Sequence, residues 1–314
     1  ITMSRILITG PLGHIGSWLI RNLSFSRYDE VVLLDDLSSQ RYPSLFNLPK
    51  QCRYRFIMGN ILDYNLPSIM DDVEVVIHLA AITDAANSMN RQEEVEAVNF
   101  VGTRKIVEAC IVSGAKLIFP STTSVYGSQD ELVDESCTEL LPQSPYAEAK
   151  LKSEQLLLEE SGDRGLDYCS CRFGTIFGTS KGMRFHTAVN KFCWQAANAE
   201  AITVWSTALD QYRPYLGVRD CGLAIEHVLQ NGLFGSETYN VVTDNFTVRQ
   251  VVDEIRYHIP TLEIGLVDSA IMNQLSYHVS GKKFVETGWA PGDELTTGIA
   301  DTIELLRGII PGAE

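Results

Sequence analysis

The chain has 314 residues, 45% apolar and 21% charged, so it can bury a large core without disulfide or metal staples. Lys plus Arg is 25 against 40 for Asp plus Glu, a net charge of −15, which argues against nucleic-acid and anionic-membrane partners. The longest apolar runs, such as 31–34 and 75–77, fall far short of the ~20 residues a membrane span needs.

Residues 5–9 read as a strand, followed by Gly10, Gly13 and Gly16 and a helical pattern to about 23. Residues 31–34 form a continuous β-branched and leucine run, the mark of a strand buried on both faces, and 55–58, 75–79, 116–120 and 168–173 read as strands in the same way. Helices are expected at 93–112 and 145–160. That rhythm predicts an α/β fold built on a doubly wound parallel sheet, with ligands beyond the carboxyl ends of the strands. After about 175 the rhythm weakens. Helices are expected at 185–199, 248–258 and 300–307, a short strand at 201–204, and a strand at 239–242 that can return to the main sheet. The expected division is a nucleotide-binding domain over 3–175 with a return near 213–243. A smaller mixed substrate lobe takes 176–212 and 244–314.

Met3 follows Ile1 and Thr2 and runs straight into the first strand, with no pattern of a secretory leader. The cysteines at 52, 110, 137, 169, 171, 193 and 221 show no zinc-type spacing. Reduced thiols and a cytoplasmic protein are expected, with Cys169 and Cys171 packed on one strand face.

Gly10, Gly13 and Gly16 stand between a strand and a helix, where backbone must turn tightly and leave room for pyrophosphate. Strand two ends in Asp35-Asp36, about 19 residues past the last glycine. A carboxylate there accepts ribose hydroxyls and repels a 2′-phosphate, so the expected cofactor is NAD and not NADP.

Tyr146 and Lys150 lie four apart in a helix that opens at Pro145 and so share a face. A Lys ammonium beside a phenol favours the phenolate, which lowers the Tyr pKa toward the working pH. On spacing alone a surface helix pair explains them as well. Upstream, Ser121, Thr122, Thr123 and Ser124 follow the strand at 116–120, where the ligand crevice is expected; hydroxyls in a turn also bond their own backbone.

With these pieces in place, the sequence resembles the extended short-chain dehydrogenase/reductases, the nucleotide-sugar epimerase and dehydratase family. The matching pieces run nearly end to end: Thr9-Gly10 with Gly13 and Gly16, Leu34-Asp35-Asp36-Leu37-Ser38, Gly59-Asn60-Ile61, His78-Leu79-Ala80-Ala81, Asn99 with Gly102-Thr103, Ser121 to Gly127, and Ser144-Pro145-Tyr146 with Lys150. Arg172 with Gly178, Arg213-Pro214-Tyr215 before Asp220, Tyr239-Asn240-Val241 and Gly288-Trp289-Ala290-Pro291 follow in order.

The resemblance implies a Rossmann-type fold, and Tyr146, Lys150 and Thr122 as catalytic residues. Tyr146 would be the acid/base, Lys150 would hold the nicotinamide ribose, and Thr122 would bond the reacting oxygen. It implies NAD contacts from Gly10, Gly13, His14, Ile15, Gly16, Asp35, Asp36, Asn60, Ile61, Leu79, Ala80, Ala81, Asn99 and Phe173. Asn60 and Ile61 would flank the adenine. Asp84, Thr123, Thr175, Arg184, Lys191 and Arg213 are the expected substrate contacts, with Arg213 on the diphosphate of a nucleotide sugar. A homodimer is implied, formed by the helices at 93–112 and 145–160. His78 reads as a satisfied core residue. Trp194 and Trp205 read as packing, with stacking on a base as the alternative.

Thr123 and Ser124 stand where the family's dehydratases and decarboxylases carry an acid, and Thr175 stands where relatives often have Asn. His14 replaces the usual aromatic of the glycine loop. The expected activity is therefore an NAD-dependent nucleotide-sugar epimerase that inverts C4 through a transient keto-sugar. A 4,6-dehydratase or keto-sugar reductase is the rival, with Asp84 or Glu135 as its proton carrier. A non-catalytic NAD sensor is the reading from another class.

Overall fold

The computed structural model describes residues 3–85, 87–267 and 277–309, without the side chains of Trp205, Thr207 and Val267. The first half alternates as expected. It runs β1 (Arg5–Thr9), α1 (His14–Asn22), β2 (Glu30–Asp35), β3 (Arg53–Met58), β4 (Val73–His78), the short α2 (Gln92–Val95), α3 (Gly102–Ser113) and β5 (Lys116–Thr122). The two-residue β6 (Leu132–Val133), α4 (Pro145–Arg164) and β7 (Tyr168–Phe173) follow.

The second half is mixed. It holds β8 (Thr175–Phe177), α5 (Ala188–Ala197), β9 (Ile202–Trp205), β10 (Tyr212–Gly217), α6 (Val218–Asn231), β11 (Glu237–Val241) and β12 (Asp244–Thr247). Then come α7 (Val248–His258), β13 (Ile264–Val267), β14 (His278–Val279), α8 (Lys282–Val285) and α9 (Leu295–Leu306).

Seven strands form one sheet in the order β11-β7-β5-β4-β1-β2-β3. Every pairing in it is parallel. Alternation along β1 explains the two faces. Ile6 and Ile8 pack with Leu19 and Ile20 of α1 and with Cys221 and Ile225 of α6. Leu7 points the other way, into Ile106, Val107 and Cys110 of α3 and Leu157 of α4. Residues 31–34 are 0% exposed, which is why that run carries no polar alternation. Burying each such side chain contributes roughly 1.5–3 kcal/mol. Cys169 and Cys171 do share a face, with sulfurs 3.8 Å apart, and all seven cysteines are free.

The strand order reverses between β1 and β4, which opens a crevice at their carboxyl ends. β11 takes the sheet edge beside β7, as the 239–242 pattern suggested. β10 instead joins β8 and β12 in a separate three-stranded sheet. A third core gathers α5, α7 and α9 around Val189, Val251 and Ile299.

Three elements differ from expectation. The helix expected over 93–112 is broken by a π-helical stretch at Glu96–Val101, whose wider turn accompanies the inward reach of Asn99. α5 begins at Ala188 because Thr187 is extended (φ −85°, ψ 146°) and leaves Phe185 in the preceding loop. The last helix starts earlier than 300, at Leu295.

Candidate active site

The glycine loop is as tight as its spacing implied. Gly10 has φ +64°, and a Cβ there would sit 2.6 Å from the Ala80 nitrogen. A Cβ on Gly16 would sit 2.6 Å from the Pro11 Cα. Both contacts are with backbone, so a side chain would displace the loop from β4 or from α1. The cradle left above Gly13, Ile15 and the open end of α1 fits a diphosphate.

Asp35, at the end of β2, accepts from the Leu37 N–H at 2.9 Å and the Leu12 N–H at 3.3 Å. Burial pushes its pKa up, against those two hydrogen bonds. Each carboxylate oxygen keeps a lone pair for a ribose hydroxyl. Asp36 accepts from Asn60 Nδ2 at 3.1 Å, which joins the two residues expected at the adenosine end.

His78 is 1% exposed and fully satisfied. Its Nδ1 lies 2.7 Å from Thr9 Oγ1 and its Nε2 3.1 Å from Thr103 Oγ1. Thr103 donates its own proton to the Asn99 carbonyl at 2.7 Å. The Thr103 hydroxyl must then accept from Nε2–H, which fixes the tautomer. Burial lowers the His78 pKa to about 3, so the ring is neutral. Thr9 Oγ1 also accepts from the Ala80 N–H at 3.2 Å. Asn99 grips Ile82 through both amide atoms at 2.8 Å. This chain of bonds sets the path of Leu79, Ala80 and Ala81 along the crevice.

α4 is started by its sequence. Ser144 caps it by accepting from the Ala147 N–H at 3.2 Å, and Pro145 occupies the first turn. Tyr146 and Lys150 then share the face that meets β5. The Tyr146 hydroxyl is hydrogen-bonded to the Thr122 side chain. Thr122 Oγ1 donates to Ser124 Oγ at 3.1 Å and accepts the Ser124 N–H at 3.2 Å. Lys150, 4% exposed, donates to the Pro120 carbonyl at 2.6 Å and lies 4.6 Å above the Phe119 ring.

The electrostatics correct one expectation. Lys150 does not lower the Tyr146 pKa; burial pushes that phenol up to about 12, with the Thr122 bond pulling the other way and Tyr277 adding to the rise. The ammonium is instead turned to Pro120, and burial lowers its own pKa to about 8, against the charge of Glu154.

Glu154, one turn beyond Lys150, was not among the expected residues. It pairs with Arg172, Nη2 to Oε2 at 2.7 Å, with both side chains 8% exposed, and it accepts from Ser121. Arg172 also donates to the Tyr126 hydroxyl at 2.9 Å, and Tyr126 to Asn240 Oδ1 at 2.8 Å. Removing one partner of such a buried pair leaves an uncompensated charge, at a cost of about 3–5 kcal/mol. The network fixes β5, α4, β7 and β11 around the Tyr146 face. For Glu154 the signal in the sequence was the i, i+4, i+8 series Tyr146, Lys150, Glu154.

Other expected contacts fall elsewhere. Thr123 is 1% exposed and donates to the Phe173 carbonyl at 3.3 Å, so its hydroxyl is turned from the crevice. Ile61 packs in the core against Gly102, and Phe173 lies in the core on the α1 side. The side chains of Ile61, Phe173 and Asn99 are thus committed to protein contacts. Lys191, expected at the substrate, is instead exposed on α5. Thr175 pairs with Tyr215 between β8 and β10. Arg213 carries a buried Nε without a protein partner, and the buried Tyr215 hydroxyl is likewise unpartnered. Glu135 accepts from the Asn240 N–H at 2.6 Å, and Asp84 accepts from Asn87 Nδ2 at 2.6 Å. Trp194 lies against Phe185, ring centres 5.2 Å apart; the side chain of Trp205 lies outside the described residues. Among the described residues no group of three or more His, Cys, Asp and Glu could hold a metal, and no helix is long and apolar enough to cross a membrane.

A family profile described as the NAD dependent epimerase/dehydratase family matches residues 6–241. An uncharacterised UDP-glucose epimerase, YtcB, of Bacillus subtilis is 31% identical over 76% of this chain and 76% of its own length. A trifunctional UDP-glucose 4,6-dehydratase, 3,5-epimerase and keto-rhamnose reductase of Arabidopsis thaliana is 27% identical over 96% of this chain, which spans only 47% of that relative. Among solved structures, UDP-glucose 4-epimerase of Thermus thermophilus with NAD is 25% identical, covers 98% of this chain and 100% of its own, and has a TM-score of 0.83.

Proposed function

Since the chain belongs to the NAD dependent epimerase/dehydratase family, with NAD as its cofactor, we propose that it is a nucleotide-sugar epimerase that inverts C4 through a transient keto-sugar. The observation that carries the reading is the Tyr146–Thr122 pair at the carboxyl end of β5, backed by Lys150 and flanked by hydroxyls at 123 and 124 where a dehydratase needs a carboxylate.

NAD, when bound, supplies the hydride acceptor and, in its oxidised form, a positive charge that favours the phenolate of a neighbouring tyrosine. Tyr146 takes the proton of the sugar 4-hydroxyl and returns it once the keto-sugar presents its other face. Thr122 turns its proton from Ser124 Oγ to the reacting oxygen, while the Ser124 N–H, bonded to Thr122 Oγ1, keeps that hydroxyl in place. Lys150 steadies the Tyr146 face through Pro120 and would hold the cofactor ribose through one of its two remaining N–H donors. Arg213, with its unpartnered Nε, takes the diphosphate of the substrate. Asp35 and Asp36 take the adenosine ribose, with Asn60 behind them.

A homodimer is part of the proposal, formed by the faces of α3 and α4 where Val112 is 71% and Leu158 65% exposed. The deciding experiment is a panel of UDP-, dTDP- and GDP-sugars incubated with the purified protein and followed by NMR. A C4 epimer from one of them is the expected product. A 6-deoxy-4-keto-sugar, a net reduction, or no turnover across the panel overturns the reading.

A further inference from the structure

The connection between β8 and α5 lies directly on the glycine loop. The Gly182 N–H donates to Ser17 Oγ at 2.8 Å, and Ser17 Oγ lies 3.1 Å from Ser180 Oγ. His14 Nε2 donates to the Gly178 carbonyl at 3.0 Å, and burial lowers the His14 pKa to about 4. A Cβ on Gly182 would strike the Leu12 and Gly13 carbonyls, so only glycine lets this connection sit so close to the loop.

Its anchoring delivers Arg184 to the crevice from the second half of the chain. Arg184 Nη1 donates to Thr83 Oγ1 at 3.1 Å, just past the Leu79-Ala80-Ala81 stretch, and His186 Nε2 lies 3.4 Å from the same hydroxyl. Arg41 approaches from the connection after β2. It is half-buried, and its Nη1 is fully buried without a protein partner. Arg41 also feels the charge of Arg184, which adds to burial in lowering its pKa to about 10.

The turn carrying Arg41 is held on the glycine loop as well: the Ser44 N–H donates to the Arg41 carbonyl at 3.0 Å and Ser44 Oγ donates to the Leu12 carbonyl at 2.9 Å. Asp35 acts on both guanidiniums, and each of its oxygens already accepts a backbone N–H. A half-buried cation with an unmet donor is costly without an anion. The position of the pair selects the anion. Arg184 is held at Thr83, beyond the exit of β4, and Arg41 stands beyond the exit of β2 in the turn bonded to Leu12; β1, which feeds the glycine loop, lies between those two strands. The ribose 2′ position is expected on the Asp35-Asp36 side of that loop.

We infer that Arg41 and Arg184 form a two-arginine clamp on the diphosphate of the dinucleotide, one arginine from each half of the chain. Arg184 is thereby assigned to the cofactor and not, as the sequence suggested, to the substrate. The inference rests on the NAD dependence of the family, and not on which sugar carbon is inverted.

The test uses Arg41→Gln, Arg184→Gln and the double variant, stripped of nucleotide and checked for an unchanged melting temperature. Calorimetry with NAD and, separately, with UDP reads the two sites. Each single variant is expected to weaken NAD about tenfold, the loss expected for one charged hydrogen-bonding partner, and the double variant more than either. UDP affinity is expected to stay within about twofold. Arg184→Lys, which keeps the charge, is expected to recover part of the loss and covers the case in which the glutamine variant fails to fold. Unchanged NAD affinity in both single variants overturns the clamp, and so does a UDP loss that exceeds the NAD loss at Arg184. Neither readout involves turnover, so an absence of epimerisation leaves both outcomes readable.

Discussion

Lys150 Nζ donates to the Pro120 carbonyl across 2.6 Å, and that bond ties the helix carrying Tyr146 to the strand carrying Thr122. The same bond holds a cation where burial disfavours it, which makes the charge visible in stability. The Lys150 pKa is about 8 in the folded chain and 10.5 when unperturbed. Between those values the folded chain has released the proton and the unfolded chain has kept it. The unfolded state then binds more protons, so this residue makes stability rise with pH from about 8 to 10.5. Lys150→Met removes that contribution. Urea titrations at pH 7 and pH 10 should show the wild type gaining on the variant by on the order of 1–3 kcal/mol. A constant difference between the two proteins would show that the ammonium is not buried as described.

Tyr146→Phe keeps the ring and loses the hydroxyl that meets Thr122. Turnover should fall by on the order of 10² to 10⁴, while the melting temperature and NAD affinity stay near those of the wild type. A variant that retains more than about a tenth of the activity shows that another group carries the proton.

Asp35 ends β2 and Asp36 follows it, at the proposed adenosine end of the crevice, and neither forms a salt bridge among the described residues. A 2′-phosphate placed there would meet carboxylate charge. Calorimetry should give an NADP affinity at least about tenfold below that of NAD. Asp35→Ala should narrow the gap by weakening NAD more than NADP. Equal affinities in the wild type refute this account of the strand-two acids.

Much of this architecture was legible because burial leaves a simple trace. Residues 31–34 and 168–173 are apolar or small throughout, Arg172 apart, since both faces of those strands are covered. Tyr146 and Lys150 were legible because helix period fixes which residues share a face. The orientation of Thr123 was not. It follows the strand in a 3-10 turn at Thr123–Tyr126, and only that turn sends its hydroxyl to Phe173 while Thr122 stays toward Tyr146. Arg41 lies in a connection without periodicity, so nothing local announces that it shares the surroundings of Asp35 with Arg184, 143 positions later. The direction of the Tyr146 pKa was missed for a related reason. Spacing placed a cation nearby, but the carbonyl of Pro120 that claims it belongs to another element.

The choice between epimerase and dehydratase turns on the residues after Thr122. Eliminating water across C5 and C6 needs one group to remove the C5 proton and another to protonate the leaving hydroxyl. Thr123 and Ser124 do not titrate in a useful range, and Thr123 is turned to the Phe173 carbonyl besides. Of the carboxylates that could replace them, Glu135 accepts from the Asn240 N–H and Asp84 from Asn87 Nδ2. Inversion at C4 asks for less: Tyr146, the polarising hydroxyl of Thr122, and room for the keto-sugar to turn. With its substrate in heavy water, the enzyme should place no deuterium at C5 and release no product lighter by one water. Mass spectrometry of the product reads both. Deuterium at C5 together with a product lighter by one water would mean that a carboxylate reaches the sugar after all, and Glu135→Gln and Asp84→Asn would then identify which.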